Sequence, residues 1–140
     1  MHLLILGCGD IGTRVGSSMA DAGWSVSAAR RNAGTLSERF DRHQVDLTDP
    51  ASMAALPVRD PDYILVTPTP QSYDPMGYHK GFTEAAELLA AQPWLLACRR
   101  VIWVSSTRVY REAEGGWVDE HSPLNVSEPQ ARAMVAAEAA

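Results

Sequence analysis

Leu3-Leu4-Ile5-Leu6-Gly7-Cys8-Gly9-Asp10-Ile11-Gly12, close to the start of the 140-residue chain, decides how everything after it is read. Four aliphatic residues run without alternation and stop at Gly7, as in a short strand buried on both faces. The next residues spell GxGxxG and lead into a helical pattern. A strand before the glycines and a helix after them is the context in which this motif has a mechanism. The first glycine permits the tight turn. The second lets backbone approach a pyrophosphate, and the third lets helix and strand pack closely. Free N–H groups and the dipole at the helix start favour an anion there. The stretch therefore predicts a dinucleotide-binding turn.

Downstream, strand-like and helix-like segments alternate. Residues 11–22 place Ile11, Val15, Met19 and Ala22 at helical spacing, and Gly23 closes the segment. Residues 24–28 alternate as a second strand. Residues 33–40 predict a short helix, and Val45 marks a brief third strand. Asp49 and Pro50 suit the cap and first position of a helix through Leu56. Residues 63–66 read as a fourth strand, followed by the turn-rich Thr67-Pro68-Thr69-Pro70. Residues 78–91 predict the clearest helix and 101–104 the fifth strand. Residues 111–129 read as a surface loop and 131–140 as a helix. With right-handed crossovers, this alternation gives an α/β chain with a doubly wound parallel sheet of about five strands, flanked by helices.

Composition is ordinary for a globular domain, 46% hydrophobic and 21% charged, and the length suits one domain, 1–140. No apolar run approaches the ~18 residues of a membrane span. The net charge of -5 argues against non-specific binding to nucleic acid or an anionic membrane. Cys8 and Cys98 form no CxxC, and His2, His43, His79 and His121 match no metal spacing. Met1–Gly7 has no basic segment or cleavage site, so the expected setting is the reducing cytoplasm.

The end of the second strand discriminates between cofactors. An NAD site places an acid about 20 residues beyond the glycines, to accept from the ribose 2′-OH. Here that region reads Ala28-Ala29-Arg30-Arg31-Asn32, and no acid lies between Asp21 and Glu38. Adjacent guanidinium groups suit a 2′-phosphate instead. NADP is the expected cofactor, with NAD the alternative.

With these residues in place, the chain resembles the extended short-chain dehydrogenase/reductases, the NAD-dependent epimerase/dehydratase family. Four features match in order: the glycine motif, Asp46-Leu47-Thr48-Asp49, Val66-Thr67-Pro68, and Val104-Ser105-Ser106-Thr107-Arg108-Val109-Tyr110, which is close to the family's SS-x-x-VY. Trp117-Val118-Asp119-Glu120-His121-Ser122-Pro123-Leu124 is similar to its Asp-Glu-x-x-Pro-Leu loop. GxGxxG in place of GxxGxxG, with arginine after the second strand, looks like an atypical subgroup. The resemblance implies a Rossmann-type sheet. It implies cofactor contacts from Gly7, Gly9, Asp10, Ile11, Gly12, Asp46 (to the adenine), Leu47, Thr67, Pro68 and Ser105, beside Arg30 and Arg31.

The departure is catalytic. The family's Tyr-x-x-x-Lys pair lets a phenol act as acid or base near neutral pH. No such pair exists in this sequence: Lys80 is the single lysine, and no tyrosine follows Tyr110. An approximate alignment puts Gln130 and Met134 at the two positions, and neither side chain transfers protons usefully. Ser106, at the family's serine position, Tyr110 and His121 are the candidate catalytic residues, with His79 behind them. The expectation is an oxidoreductase or sugar-nucleotide-modifying enzyme acting on a small molecule. The alternative is a non-catalytic NADP(H)-binding regulatory module. The chain stops inside its last helix, so it also reads as the front part of a longer protein.

Overall fold

The computed structural model describes residues 1–57 and 60–140. Five parallel strands, β1 (His2–Leu6), β2 (Ser25–Arg30), β3 (Asp41–Gln44), β4 (Tyr63–Val66) and β5 (Arg100–Trp103), form one sheet in the order β3-β2-β1-β4-β5. The order reverses at β1, as in a doubly wound Rossmann sheet. Successive residues of β1 point to opposite faces. Leu4 and Leu6 join Ile64, Val66, Met53 and Leu89 on one side. Leu3 and Ile5 join Val26, Ala28 and Phe40 on the other, where Val15 and Met19 of α1 (Asp10–Asp21) cover them. The unbroken aliphatic run is thus the centre of two cores.

Several boundaries differ from the sequence reading. The third strand lies just before Val45, on Asp41-Arg42-His43-Gln44. It is an edge strand whose side chains face mostly water, so hydropathy does not mark it. Val45 follows, buried, with its N–H on the Arg30 carbonyl (3.1 Å). Residues 33–40 hold only a 3₁₀ turn, Ala33–Thr35; Leu36 is extended, and both it and Phe40 are buried against the sheet. Gly12 and Gly16, rather than Ile11 and Ala22, form the buried side of α1. A Cβ at Gly16 would stand 2.8 Å from Phe40 Cζ, so the ring occupies that side-chain space.

α2 spans Pro50–Ala54, with Asp49 capping it through the Ala51 N–H (3.0 Å). The expected helix 78–91 begins earlier, at Pro75. α3 (Pro75–Tyr78), a π-helical turn (His79–Glu84) and α4 (Ala85–Ala90) follow one another directly. The missed start signal is Asp74-Pro75, a cap residue before a proline at the first helical position. The Asp74 carboxylate accepts from the Gly77 N–H and the Ser72 hydroxyl, both at 2.8 Å. The first of these bonds chiefly holds its pKa below the ordinary carboxylate value. A depressed carboxylate stabilises the fold above its unfolded pKa, and that contribution is lost as pH falls through the folded pKa. Asp74→Ala should therefore melt below the wild type at neutral pH, with the gap narrowing as pH falls below the ordinary carboxylate range. Melting curves across that range check this, and a gap independent of pH would refute it.

A third cluster joins the π-helical turn to α5 (Pro129–Ala139): Phe82 and Ala86 pack with Val109, Met134 and Ala137. The buried Thr83 hydroxyl donates to the Ala133 carbonyl (2.9 Å). Among the described residues no helix is long and apolar enough to cross a membrane.

Candidate functional site

The site begins at the turn after β1. Gly7 has φ +75°, and a Cβ there would lie 2.7 Å from the Thr67 carbonyl oxygen. Its carbonyl accepts from the Thr67 hydroxyl (2.7 Å), and the amides of Gly7 and Cys8 both donate to the Ala29 carbonyl. The turn is therefore bolted to the ends of β2 and β4. Gly12 is closed by the core: a Cβ would meet Ile5 Cγ2 at 2.9 Å and Cys8 Sγ at 3.1 Å. Gly9 differs from both. Its φ is -99°, and a Cβ would meet only the Gly7 carbonyl oxygen, at 3.9 Å. No neighbouring atom requires glycine there, and the space above it is open.

Gly9 is also the N-cap of α1 and supplies no side-chain cap, which leaves the first amides of that helix for an anion. Asp10 in the first turn would oppose an anion, but Arg14 pairs with it one turn along (3.1 Å). The Cys8 thiol is pushed up by burial, against weaker opposing effects from the Thr13 hydroxyl and the Arg30 charge. Burial thus disfavours the thiolate, the reactive form of the side chain.

An open cleft of about 300 Å³ runs from the turn along the carboxyl ends of the strands. Gly7, Gly9, Arg30, Arg31, Asp46, Leu47 and Thr67 all line it. Sequence reasoning did not name Thr48, Thr69 or Gln71 as site residues, yet all three line it. Gly81 lines it as well; a Cβ there would stand 2.4 Å from the Thr69 carbonyl oxygen. A glycine inside a helical pattern was the available signal. The Asp46 Oδ1 atom accepts from the Thr48 N–H (2.9 Å) and hydroxyl (2.8 Å). That pairing turns the carboxylate into the loop after β3.

Asp10, Ile11, Gly12, Pro68 and Ser105 lie outside this lining. Asp10, Ile11 and Ser105 are exposed, Gly12 is buried beneath the turn, and Pro68 is half-buried beside Thr67. The catalytic candidates are not on the lining either. The Ser106 Oγ accepts from the Arg108 N–H (3.2 Å) and caps the 3₁₀ turn Thr107–Val109. Tyr110 pairs through its backbone with Leu124 and packs against the third cluster. His121 is exposed in a turn closed by Asp119. His79 lies 3.6 Å from Glu84. Met134, at the position aligned with the family lysine, is 3% exposed and packed in the apolar cluster. Among the described residues no group of acidic, histidine or cysteine side chains could hold a metal ion.

An uncapped helix start, a glycine with open space above it and a cleft at the sheet's switch point are the features with which doubly wound folds bind nucleotides. Arg30, Arg31 and Asp46 lie along that cleft. No family model matches the chain, and no curated protein matches it in sequence. Solved structures do. A UDP-galactose 4-epimerase superposes with a TM-score of 0.82 at 19% identity, over 99% of this chain and 50% of that one. The dTDP-glucose 4,6-dehydratase DesIV of Streptomyces venezuelae, solved with NAD and TYD, gives 0.78 at 21%, over 99% and 50%. A short-chain dehydrogenase/reductase superfamily protein of Agrobacterium tumefaciens, solved with NAD, gives 0.74 at 24%, over 99% and 43%. The chain shares the fold of these structures and spans about half their length.

Proposed function

We propose that residues 1–140 form an NADP(H)-binding domain of epimerase/dehydratase type. The observation that carries this reading is that Arg30 and Arg31 line the same cleft as Gly7 and Gly9. No acid stands at the end of β2 to accept from a 2′-OH. The turn and the first amides of α1 would hold the pyrophosphate, Arg30 and Arg31 the 2′-phosphate, and Asp46 and Leu47 the adenine. Thr67, Pro68 and Ser105 would line the path toward the nicotinamide. Structures with NAD bound share the fold, which supports a nicotinamide dinucleotide as the ligand class. Cys8 and Cys98 are free thiols, in keeping with a cytoplasmic setting.

When bound, such a cofactor supplies hydride transfer. Positioning and proton movement would fall to this chain: Ser106 as the hydroxyl nearest a substrate, Tyr110 or His121 as the acid. A sugar nucleotide is the substrate class suggested by the neighbouring structures. A second reading, a binding module without chemistry, draws on Met134, which fills core space where the family's lysine would act. Calorimetric titration with NADP and NAD, followed by turnover assays on alcohols, carbonyls and nucleotide sugars, separates the readings. General acids typically contribute ~10²–10⁴-fold, so without the usual pair turnover should be feeble and fall further in His121→Ala or Tyr110→Phe. Robust turnover unchanged in both variants would refute this assignment of the proton donor. Failure to bind either dinucleotide would refute the domain's function.

A further inference from the structure

One side chain spans the cleft between the elements that would grip the adenosine end. Gln71, in the loop after β4, accepts through Oε1 from Arg31 Nη1 (3.4 Å) and donates through Nε2 to Thr48 Oγ1 (2.9 Å). The Thr48 hydroxyl is already committed as a donor to Asp46 Oδ1, so toward Gln71 it can only accept. The chain of bonds therefore has one direction, Arg31 to Gln71 to Thr48 to Asp46. A carboxamide satisfies both of its ends; a carboxylate cannot donate to Thr48, and a methionine cannot donate and accepts only weakly. The Gln71 backbone is pinned separately by its N–H on the Gly77 carbonyl (3.0 Å).

We propose that Gln71 is a specificity-determining residue of this site, which orients Arg31 toward a phosphate on the adenosine 2′-oxygen while leaving its charge uncompensated. The proposal rests on the NADP reading and deepens it. A neutral amide holds one N–H of the guanidinium at the cleft wall and leaves its other N–H groups to an anionic oxygen. An acid at position 71 would neutralise Arg31 and repel the phosphate. The loop after β4 thereby takes part in choosing between NADP and NAD, although the usual discriminating position is at the end of β2.

The test uses the full chain and two probes, adenosine 2′,5′-bisphosphate and 5′-AMP, with affinities read by calorimetry. Gln71→Glu should weaken the bisphosphate by roughly tenfold or more, the scale of one charge-assisted bond, and change AMP little. Gln71→Met should weaken the bisphosphate by about 2–10-fold, the scale of a neutral bond. It should have no further effect once Arg31 is alanine. Equal losses for both probes, or a Gln71→Met effect that persists in Arg31→Ala, would overturn the proposal. A bisphosphate preference that needs the arginines but ignores both Gln71 variants removes the role of Gln71 alone. A wild type with no bisphosphate preference removes the NADP reading, and this proposal with it.

Discussion

Replacing Gly9 by valine is expected to leave a folded chain that no longer takes up the dinucleotide. The two neighbouring glycines could not serve in this test. A side chain at Gly7 would be driven into the Thr67 carbonyl from a positive-φ backbone, and one at Gly12 into Ile5 and Cys8. Either variant would lose stability and affinity together. At Gly9 a Cβ stands in ordinary contact with one oxygen, 3.9 Å away. The cost to the fold is that of a poorer N-cap, typically ~1 kcal/mol or less. The valine methyl groups would instead occupy the space that a pyrophosphate needs to reach the amides of α1. Losing two charge-assisted bonds at ~1.5–3 kcal/mol each weakens binding by about 10²–10⁴-fold. Melting curves and NADP titrations of Gly9→Val and Gly9→Ala check both halves. Unchanged affinity in a folded Gly9→Val would show that the turn does not hold the phosphates.

The Arg30→Ala/Arg31→Ala double variant should lose NADP affinity selectively. Each charge-assisted bond to a phosphate contributes on the order of 1.5–3 kcal/mol, so two amount to a hundredfold or more. NAD, which has no 2′-phosphate, should bind almost as before. The fold should survive, because Arg31 is exposed and Arg30 joins β3 through its backbone carbonyl rather than its side chain. Parallel titrations with the two cofactors decide the matter. Equal losses would mean that the arginines act as general surface charge and do not read the 2′-position.

Much of the architecture was legible because it follows from local chemistry. The aliphatic run of β1 can only be buried on both faces, and Asp49-Pro50 states a helix start by capping and fixed φ. What escaped was set by position in the sheet. Asp41–Gln44 carries no strand pattern, because an edge strand with wet faces needs none. Asp74-Pro75 did state a helix start, but the apolar pattern that draws the eye begins only at Phe82. Of the residues lining the cleft, Gly7 and Gly9 could be named beforehand from the spacing of the turn, Arg30 and Arg31 from the charge after the second strand, and Asp46, Leu47 and Thr67 from the family resemblance. Gln71 could not, because its partners lie 40 and 23 residues away.

The sequence by itself determined the glycine turn between strand and helix, the parallel sheet built around it, the arginines where an NAD site has an acid, and the missing Tyr-x-x-x-Lys pair. These are properties of residue type and spacing, which no packing can change. Only the tertiary structure separated the three glycines of one motif into different roles. Backbone dihedral and a facing carbonyl hold position 7, and core atoms hold position 12. At position 9 there is space that the protein leaves unfilled. It also brought Gln71 between Arg31 and Thr48, joining loops that follow three different strands. Side chains so far apart in the chain meet because parallel strands deliver all their carboxyl ends to the same edge of the sheet.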